Sequence, residues 1–214
     1  MIAWIADLAF AAVVLLTALI VSRGGAVRGG IRLVCVVLAG LFAMNYFEPL
    51  GKLAIDLANG AGVVSRFARF VALLVLFAAV QIVLWALTRR LLPESPELPA
   101  AVEPPANWSC AILTGYVLAA VLLTAVHTFP GPRDFGGAFV PEAERRGGAI
   151  LKFAPDYQWL GFTQHVSEHV FRRGGEGRVF DGPTYRIGGT RGRWPSFPLR
   201  YARWRSQLHE SSAD

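Results

Sequence analysis

Residues 22–32 read SRGGAVRGGIR, with three arginines and four glycines between two almost purely apolar runs. Basic residues in short loops between membrane helices are kept on the cytoplasmic side. Glycine lets the backbone reverse tightly, because it reaches positive φ without a Cβ clash. Arg23, Arg28 and Arg32 therefore predict a cytoplasmic hairpin turn, with the N-terminus outside. An RGG-type RNA-binding segment is the alternative, but such a segment needs many repeats in a disordered context.

Four apolar runs predict membrane helices, at residues 1–21, 31–47, 71–88 and 108–129. About 17–25 helical residues are needed to cross about 30 Å of hydrocarbon. The first and fourth runs meet this length and the third just reaches it, whereas the second is short unless Arg32 snorkels to the headgroups. The predicted fold class is all-α: a polytopic membrane helix bundle of about four transmembrane helices, with a basic, partly helical C-terminal tail.

A cleaved signal peptide is the alternative for the first run. Signal peptides begin with a positive region, but no basic residue precedes Arg23, and Asp7 makes the start of the chain acidic. We therefore expect the first run to be retained as a helix.

Two connections between the runs have distinct compositions. Residues 48–60 repeat apolar side chains at helical spacing, with Lys52 and Asp56 on another face. This pattern predicts an interfacial helix on the membrane, with a re-entrant helix as the alternative. Residues 91–107 contain five prolines, which predict an extended, semi-rigid linker.

Four polar side chains interrupt the apolar runs: Asp7, Asn45, Gln81 and His127. Polar residues inside a membrane mark the path of an ion or substrate in channels and transporters. Asp7 and His127 lie near helix ends that share one side of the membrane, so they could pair instead of lining a path. His127 is read as an interfacial histidine, with a proton-relay role as the alternative.

The fourth run has small residues at a four-residue spacing: Ala111, Gly115 and Ala119. This spacing places them on one helix face, where a neighbouring backbone can approach closely. They predict helix packing within the bundle and support assembly with a second copy or another membrane protein.

Arg89 and Arg90 follow the third apolar run. Together with Arg23, Arg28 and Arg32, they are the basic residues expected on the cytoplasmic side.

The C-terminal part, residues 130–214, is predicted to be a basic extramembrane tail. Thirteen of the 21 Lys and Arg follow residue 128. Four crossings place this tail outside, although its basic charge would favour the cytoplasm; that preference is weak for long segments. Arginines interleaved with aromatics suit either nucleic acid or an anionic lipid surface. Because the tail is tethered to a membrane bundle, we expect anionic lipid or a partner protein, and no nucleic acid. The set comprises Arg186, Arg191, Arg193, Trp194, Arg200, Tyr201, Arg203, Trp204 and Arg205.

Residues 165–169, HVSEH, match the H-x-x-E-H pattern of inverzincin metalloproteases. His165 and His169 would face the same side of a helix, but catalytic zinc needs a third ligand. Three fixed positions also arise by chance. We therefore expect no metal, no cofactor and no enzymatic activity, with these two histidines as candidates for adventitious metal binding. Cys35 and Cys110 lie within apolar runs and are expected to act as small hydrophobic residues.

The order of these features resembles the CvpA family, the bacterial colicin V production proteins. Four features in residues 1–128 support the resemblance. They are the start Trp4-Ile5-Ala6-Asp7, the loop SRGGAVRGGIR, the aromatic end Asn45-Tyr46-Phe47 and the Val/Leu/Phe-rich third run. The family enters its last helix with Leu-Gly, a further Gly and Arg-Gly; here only Gly115 is retained.

The resemblance implies a small multi-pass protein of the bacterial inner membrane. It implies a non-enzymatic role that is accessory to peptide toxin production or export, or to tolerance of envelope stress. It also suits a homo-oligomer or a complex with another membrane protein. A small channel or transporter subunit is the alternative function.

Overall fold

The computed structural model describes residues 2–60, 62–91, 98–138, 149–169 and 196–210. Within these ranges the chain forms six α-helices, one 3-10 turn at Leu151–Phe153 and no strand. The helices are α1 (Ile2–Ser22), α2 (Ala26–Leu57), α3 (Gly62–Leu91), α4 (Glu103–His127), α5 (Pro155–His169) and α6 (Phe197–Glu210). Helices α1 to α4 are each long and apolar enough to cross a membrane. The predicted all-α membrane bundle is confirmed.

The helices begin and end at different residues from those predicted. The segment 48–60 is not a separate interfacial helix, because α2 continues through Pro49 to Leu57. Gly51 explains the continuation: a Cβ there would lie 3.2 Å from the Cα of Arg69, so the ends of α2 and α3 pack at backbone distance. The turn to α3 then uses positive φ at Asn59 and Gly60.

The proline-rich connection is shorter than predicted. Helix α3 extends to Leu91, and α4 begins at Glu103. Pro104 and Pro105 lie in the first turn of α4, where a missing N–H breaks no helical hydrogen bond. Residues 92–97 of the predicted linker lie outside the described residues.

The four long helices pack as a row in the order α1, α4, α2, α3. The two edge helices therefore expose most of their apolar side chains; Leu8 and Leu15 on α1 are 71% and 63% exposed, and Ile82 on α3 is 64% exposed. Such surfaces fit hydrocarbon and would be costly in water. Membrane-spanning helices explain this exposure.

The N-terminal end of α4 holds the α1–α2 turn in place. The turn itself is only residues 23–25, with Gly25 at φ 81. The backbone N–H of Ala26 donates to a Glu103 carboxylate oxygen at 2.7 Å, and Asn107 donates to the Ser22 carbonyl at 2.6 Å. Glu103 thus caps the first turn of α2, where the helix dipole favours a negative charge.

The basic residues of the opening stretch lie at one end of the bundle. Arg28 and Arg32 belong to the first turns of α2, and Arg32 donates to the carbonyls of Ile20 and Val21 at the end of α1. Because α3 runs antiparallel to α2, Arg89 and Arg90 lie at this same end. We call it the arginine end, and the opposite end, which carries α6, the tail end.

The small residues of α4 are closely packed, and the helix that approaches this face is α1. Ala111 is fully buried, and Ala119 is 3% exposed. A Cβ at Gly115 would lie 2.6 Å from the carbonyl oxygen of Val14. This face is therefore filled by α1 of the same chain, so it gives no support to assembly with a second copy.

Gly115→Ala is expected to destabilise the protein by about 1–3 kcal/mol, because the added methyl group meets α1 backbone and cannot be accommodated by a rotamer change. Thermal unfolding in detergent micelles measures the effect. Gly161→Ala is the matched control, since nothing lies within 4 Å of a Cβ there and alanine favours a helix over glycine by up to about 1 kcal/mol. Equal unfolding temperatures for the two variants would contradict the close approach of α1 and α4.

Candidate functional site

The described part of the tail packs into the core of the bundle. Trp159 and Leu160 of α5 and Phe197 and Tyr201 of α6 share one buried cluster with side chains of α2, α3 and α4. The predicted boundary at residue 129 is therefore not a packing boundary. Four buried polar side chains make the connection: Asp7, His127, Asp156 and Arg205. We call these four, with their hydrogen-bond partners, the polar junction.

Asp7 connects α1 to the turn before α5. Its carboxylate accepts three backbone hydrogen bonds, from Ala149 at 2.5 Å, Ile150 at 3.1 Å and Leu151 at 2.8 Å. The side chain is 5% exposed. Three N–H donors around one carboxylate replace the water that the charge loses on burial. Asp7 is thus a binding point for the tail.

His127 and Asp156 form a fully buried pair at the tail end. His127 Nε2 lies 2.6 Å from the Asp156 carboxylate, and neither side chain is exposed to solvent. The pair joins the last turn of α4 to the first turn of α5, where the helix dipole favours a carboxylate. Asp7 and His127 do not form the pair that their positions in the sequence allowed, because each binds a different part of the tail.

Arg205 joins α6 to the chain that follows α4. Its guanidinium is fully buried. It donates to the carbonyls of Pro132 at 3.2 Å, of Arg133 at 2.5 Å and of His127. The His127 carbonyl is one of those that an α-helix leaves unpaired at its C-terminal end. The planar guanidinium offers donors in one plane to these three acceptors, whereas the three donors of an ammonium group point in tetrahedral directions.

Burial lowers the pKa of Arg205 to about 10, with a further lowering by Arg133 and a partial offset by Asp134. That value lies well above neutral pH, so the guanidinium remains charged and its three hydrogen bonds are charge-assisted. The prediction that Arg205 faces a lipid surface is wrong. The spacing of the sequence could have predicted this burial. Phe197, Tyr201 and Arg205 recur every four residues and share the buried face of α6.

Asn45 binds the C-terminal half of α5. Its amide donates to the Leu41 carbonyl at 2.8 Å, and its oxygen accepts from the Ser167 hydroxyl at 3.2 Å. Gln81 differs, because its side-chain oxygen is buried in α3 without a hydrogen-bond partner among the described residues. Three of the four polar candidates therefore hold the tail, and Gln81 does not.

Helix α6 also binds the tail end through surface contacts. Glu48 accepts from Arg200 at 2.6 Å and from the Tyr201 hydroxyl at 3.1 Å. Burial, and next the charge of Glu48, raise the pKa of Tyr201. The Arg69 guanidinium lies 5.6 Å from the ring centre of Trp204.

The other basic and aromatic residues predicted to dock on lipid or a partner protein have two outcomes. Arg203 is exposed on α6. Four lie outside the described residues: Arg186, Arg191, Arg193 and Trp194.

The two histidines of the H-x-x-E-H pattern stack on each other, with ring centres 4.2 Å apart. His169 Nδ1 lies 2.8 Å from the His165 carbonyl and donates to it when protonated. In the part of the chain that the structure describes, no group of three metal-ligating side chains comes together.

Comparisons with protein-family models, with curated proteins and with solved structures found no match to this chain. The polar junction and the sequence features above are therefore the basis for inferring a function.

Proposed function

We propose that the chain is a non-enzymatic multi-pass protein of the bacterial inner membrane. Its proposed role is CvpA-like: accessory to peptide toxin production or export, or to tolerance of envelope stress. The polar junction is the observation that supports this role. Enzymes and transporters need polar groups that a substrate can reach, whereas His127, Asp156 and Arg205 are fully buried and bind the tail.

The junction suits an accessory protein because it joins tail and bundle into one body at the tail end. A partner would then meet a fixed surface built from both. The lipid-exposed edges of α1 and α3 are the places where a second copy or another membrane protein would pack, since α4 and α2 are covered on two sides by neighbouring helices.

A complementation experiment tests the role. Deleting the gene in its bacterium is expected to reduce the export of a peptide toxin, or the survival of the cells under envelope stress. The wild-type gene should restore the phenotype, as should Arg203→Ala, which alters an exposed residue of α6. Arg205→Ala should not restore it, because α6 loses its main binding point. Unchanged export and unchanged survival in the deletion strain would overturn the proposal.

The orientation follows from the basic residues. Placing the arginine end in the cytoplasm puts the polar junction and the tail on the outer side of the inner membrane. A fusion after Asp214 to alkaline phosphatase and a fluorescent protein should then show phosphatase activity. Fluorescence without phosphatase activity would place the tail in the cytoplasm and contradict this orientation.

A small channel or transporter subunit is the second candidate function. The buried side-chain oxygen of Gln81, which has no partner among the described residues, favours it, because a polar group in a membrane helix is costly and commonly marks the path of an ion or substrate. Ion flux through proteoliposomes that contain the protein, abolished by Gln81→Leu, would establish this candidate. Without flux above that of empty liposomes, it fails.

A further inference from the structure

We propose that α5 lies inside the membrane, alongside α2 and α4, with Phe153 and Phe162 in contact with lipid acyl chains. The tail would then include a membrane-embedded helix and would not be wholly extramembrane. The proposal depends on α1 to α4 spanning a bilayer and is independent of the proposed function.

The level of the membrane surface at the tail end is given by the charged residues there. On α2, Glu48 follows the apolar segment; on α3, Arg69 precedes it; and α4 ends at His127. Because α2 and α4 run in the same direction and α3 runs opposite to α2, these three positions lie at the same end of the bundle and mark one boundary. Side chains bound to residues that precede Glu48 on α2 or His127 on α4 lie beneath it.

Trp159 of α5 lies beneath this boundary. Its ring meets α2 at Gly40, where a Cβ would lie 2.5 Å from the ring and 3.1 Å from Val121 of α4. Gly40 is eight residues before Glu48, and Val121 is six before His127. At 1.5 Å per residue, the indole ring is about 9–12 Å below the surface. Interfacial helices lie at about 5–10 Å.

Two polar contacts agree with this depth. The Tyr116 hydroxyl donates to the Gln158 side chain at 2.7 Å, and Tyr116 lies eleven residues before the end of α4. Gln158 also donates to the Phe153 carbonyl, so its amide has protein partners at this level. At the other end of α5, Ser167 bonds to Asn45, three residues before Glu48. At the start of α5, Asp156 pairs with His127 at the boundary itself, so both ends of α5 lie near the boundary and the side chains of Gln158 and Trp159 lie deeper.

The polarity of α5 and of the preceding 3-10 turn suits hydrocarbon. Phe153 is 68% exposed and Phe162 is 44% exposed. In contrast, four polar side chains of α5 point inward and are at most 6% exposed: Asp156, Thr163, Gln164 and Ser167. Although α5 also buries Trp159 and Leu160, as an amphipathic helix in water would, it places Phe162 and these four polar side chains the other way round from such a helix. Lys152, next to Phe153, can snorkel to the headgroups, and the exposed His165 and His169 belong to the C-terminal half of α5, which ends near the boundary.

The steric fit of Trp159 against Gly40 also holds α5 at this level. The indole N–H of Trp159 has no hydrogen-bond partner among the described residues, so its position depends on the space that Gly40 leaves on α2. A glycine in the middle of a transmembrane helix commonly admits a close neighbour. Here that neighbour is a side chain of the tail.

Fluorescence quenching tests the proposal. Single cysteines replace Phe162 and, as matched control on the same helix, His169, in a chain with Cys35→Ala and Cys110→Ala. Both are labelled with an environment-sensitive fluorophore after reconstitution of the full chain. Some vesicles contain lipids with a spin label on the acyl chain and others contain a headgroup spin label. We expect the acyl-chain label to quench the fluorophore at 162 more strongly than the headgroup label, and the reverse at 169.

The second readout is the accessibility of the two cysteines to a reagent in water. A membrane-impermeant maleimide should label Phe162→Cys at least about tenfold more slowly than His169→Cys in vesicles with the tail end outward. Unfolding temperatures equal to that of the cysteine-free parent establish that the variants are folded. Stronger headgroup quenching at 162 with equal labelling rates would overturn the proposal and place α5 on the surface. Slow labelling without quenching by either lipid would also overturn it, since protein would then cover Phe162.

Discussion

Arg205→Ala is expected to destabilise the folded protein by about 3 kcal/mol or more, since each hydrogen bond to a charged group contributes about 1.5–3 kcal/mol. Alanine removes the donor from the carbonyls of His127, Pro132 and Arg133 together. These carbonyls end α4 and start the next loop, so α6 should detach from the bundle. Thermal unfolding in micelles measures the loss of stability, and limited proteolysis should release α6 faster.

Arg203→Ala is the matched control, because Arg203 is exposed on the same helix; its unfolding temperature should stay close to that of the wild type. Arg205→Lys keeps the charge but cannot bind three carbonyls in one plane, so it should lie between the two. The effect of Arg205→Ala should be the same at pH 6 and pH 8, because a pKa of about 10 leaves the guanidinium charged at both. Identical unfolding temperatures for Arg205→Ala and Arg203→Ala would refute the assigned role.

His127→Ala is expected to destabilise the protein by about 3–5 kcal/mol, because it leaves the Asp156 carboxylate buried without its imidazole partner. Asp156→Ala should destabilise the protein by a similar amount, because it leaves the His127 imidazole buried without its carboxylate partner. Both side chains are fully buried and 2.6 Å apart, so water cannot readily replace the missing group. Unfolding in detergent, followed by circular dichroism, measures both variants. His165→Ala serves as control, since that histidine is exposed on α5.

The double variant His127→Leu with Asp156→Leu tests whether the stability depends on the interaction between these two side chains. Replacing both partners of a buried hydrogen bond by apolar groups of similar shape can be nearly neutral, so the double variant should be more stable than either His127→Leu or Asp156→Leu alone. Additive losses, as expected for residues that do not interact, would show that the two side chains act separately.

Much of the membrane bundle could be predicted from local sequence. In hydrocarbon every backbone polar group must be bonded within its own segment, so an uncharged apolar run such as 108–129 has few alternatives to a helix. The spacing of Ala111, Gly115 and Ala119 identified the face of close packing. The helix ends were less predictable, because α2 reaches Leu57 only where Gly51 lets it pack against α3.

Local sequence patterns were enough to predict the four apolar helices, a closely packed face on α4, and the basic residues that share one end. The position of the tail, in contrast, depends on contacts between distant segments. Asp7 meets residues 149–151, His127 meets Asp156, and Arg205 meets the end of α4. These partners are 29 to 144 residues apart in the chain. A local pattern reports the periodicity of one segment, whereas such pairs form only when separate segments pack and must satisfy each other's buried polar groups.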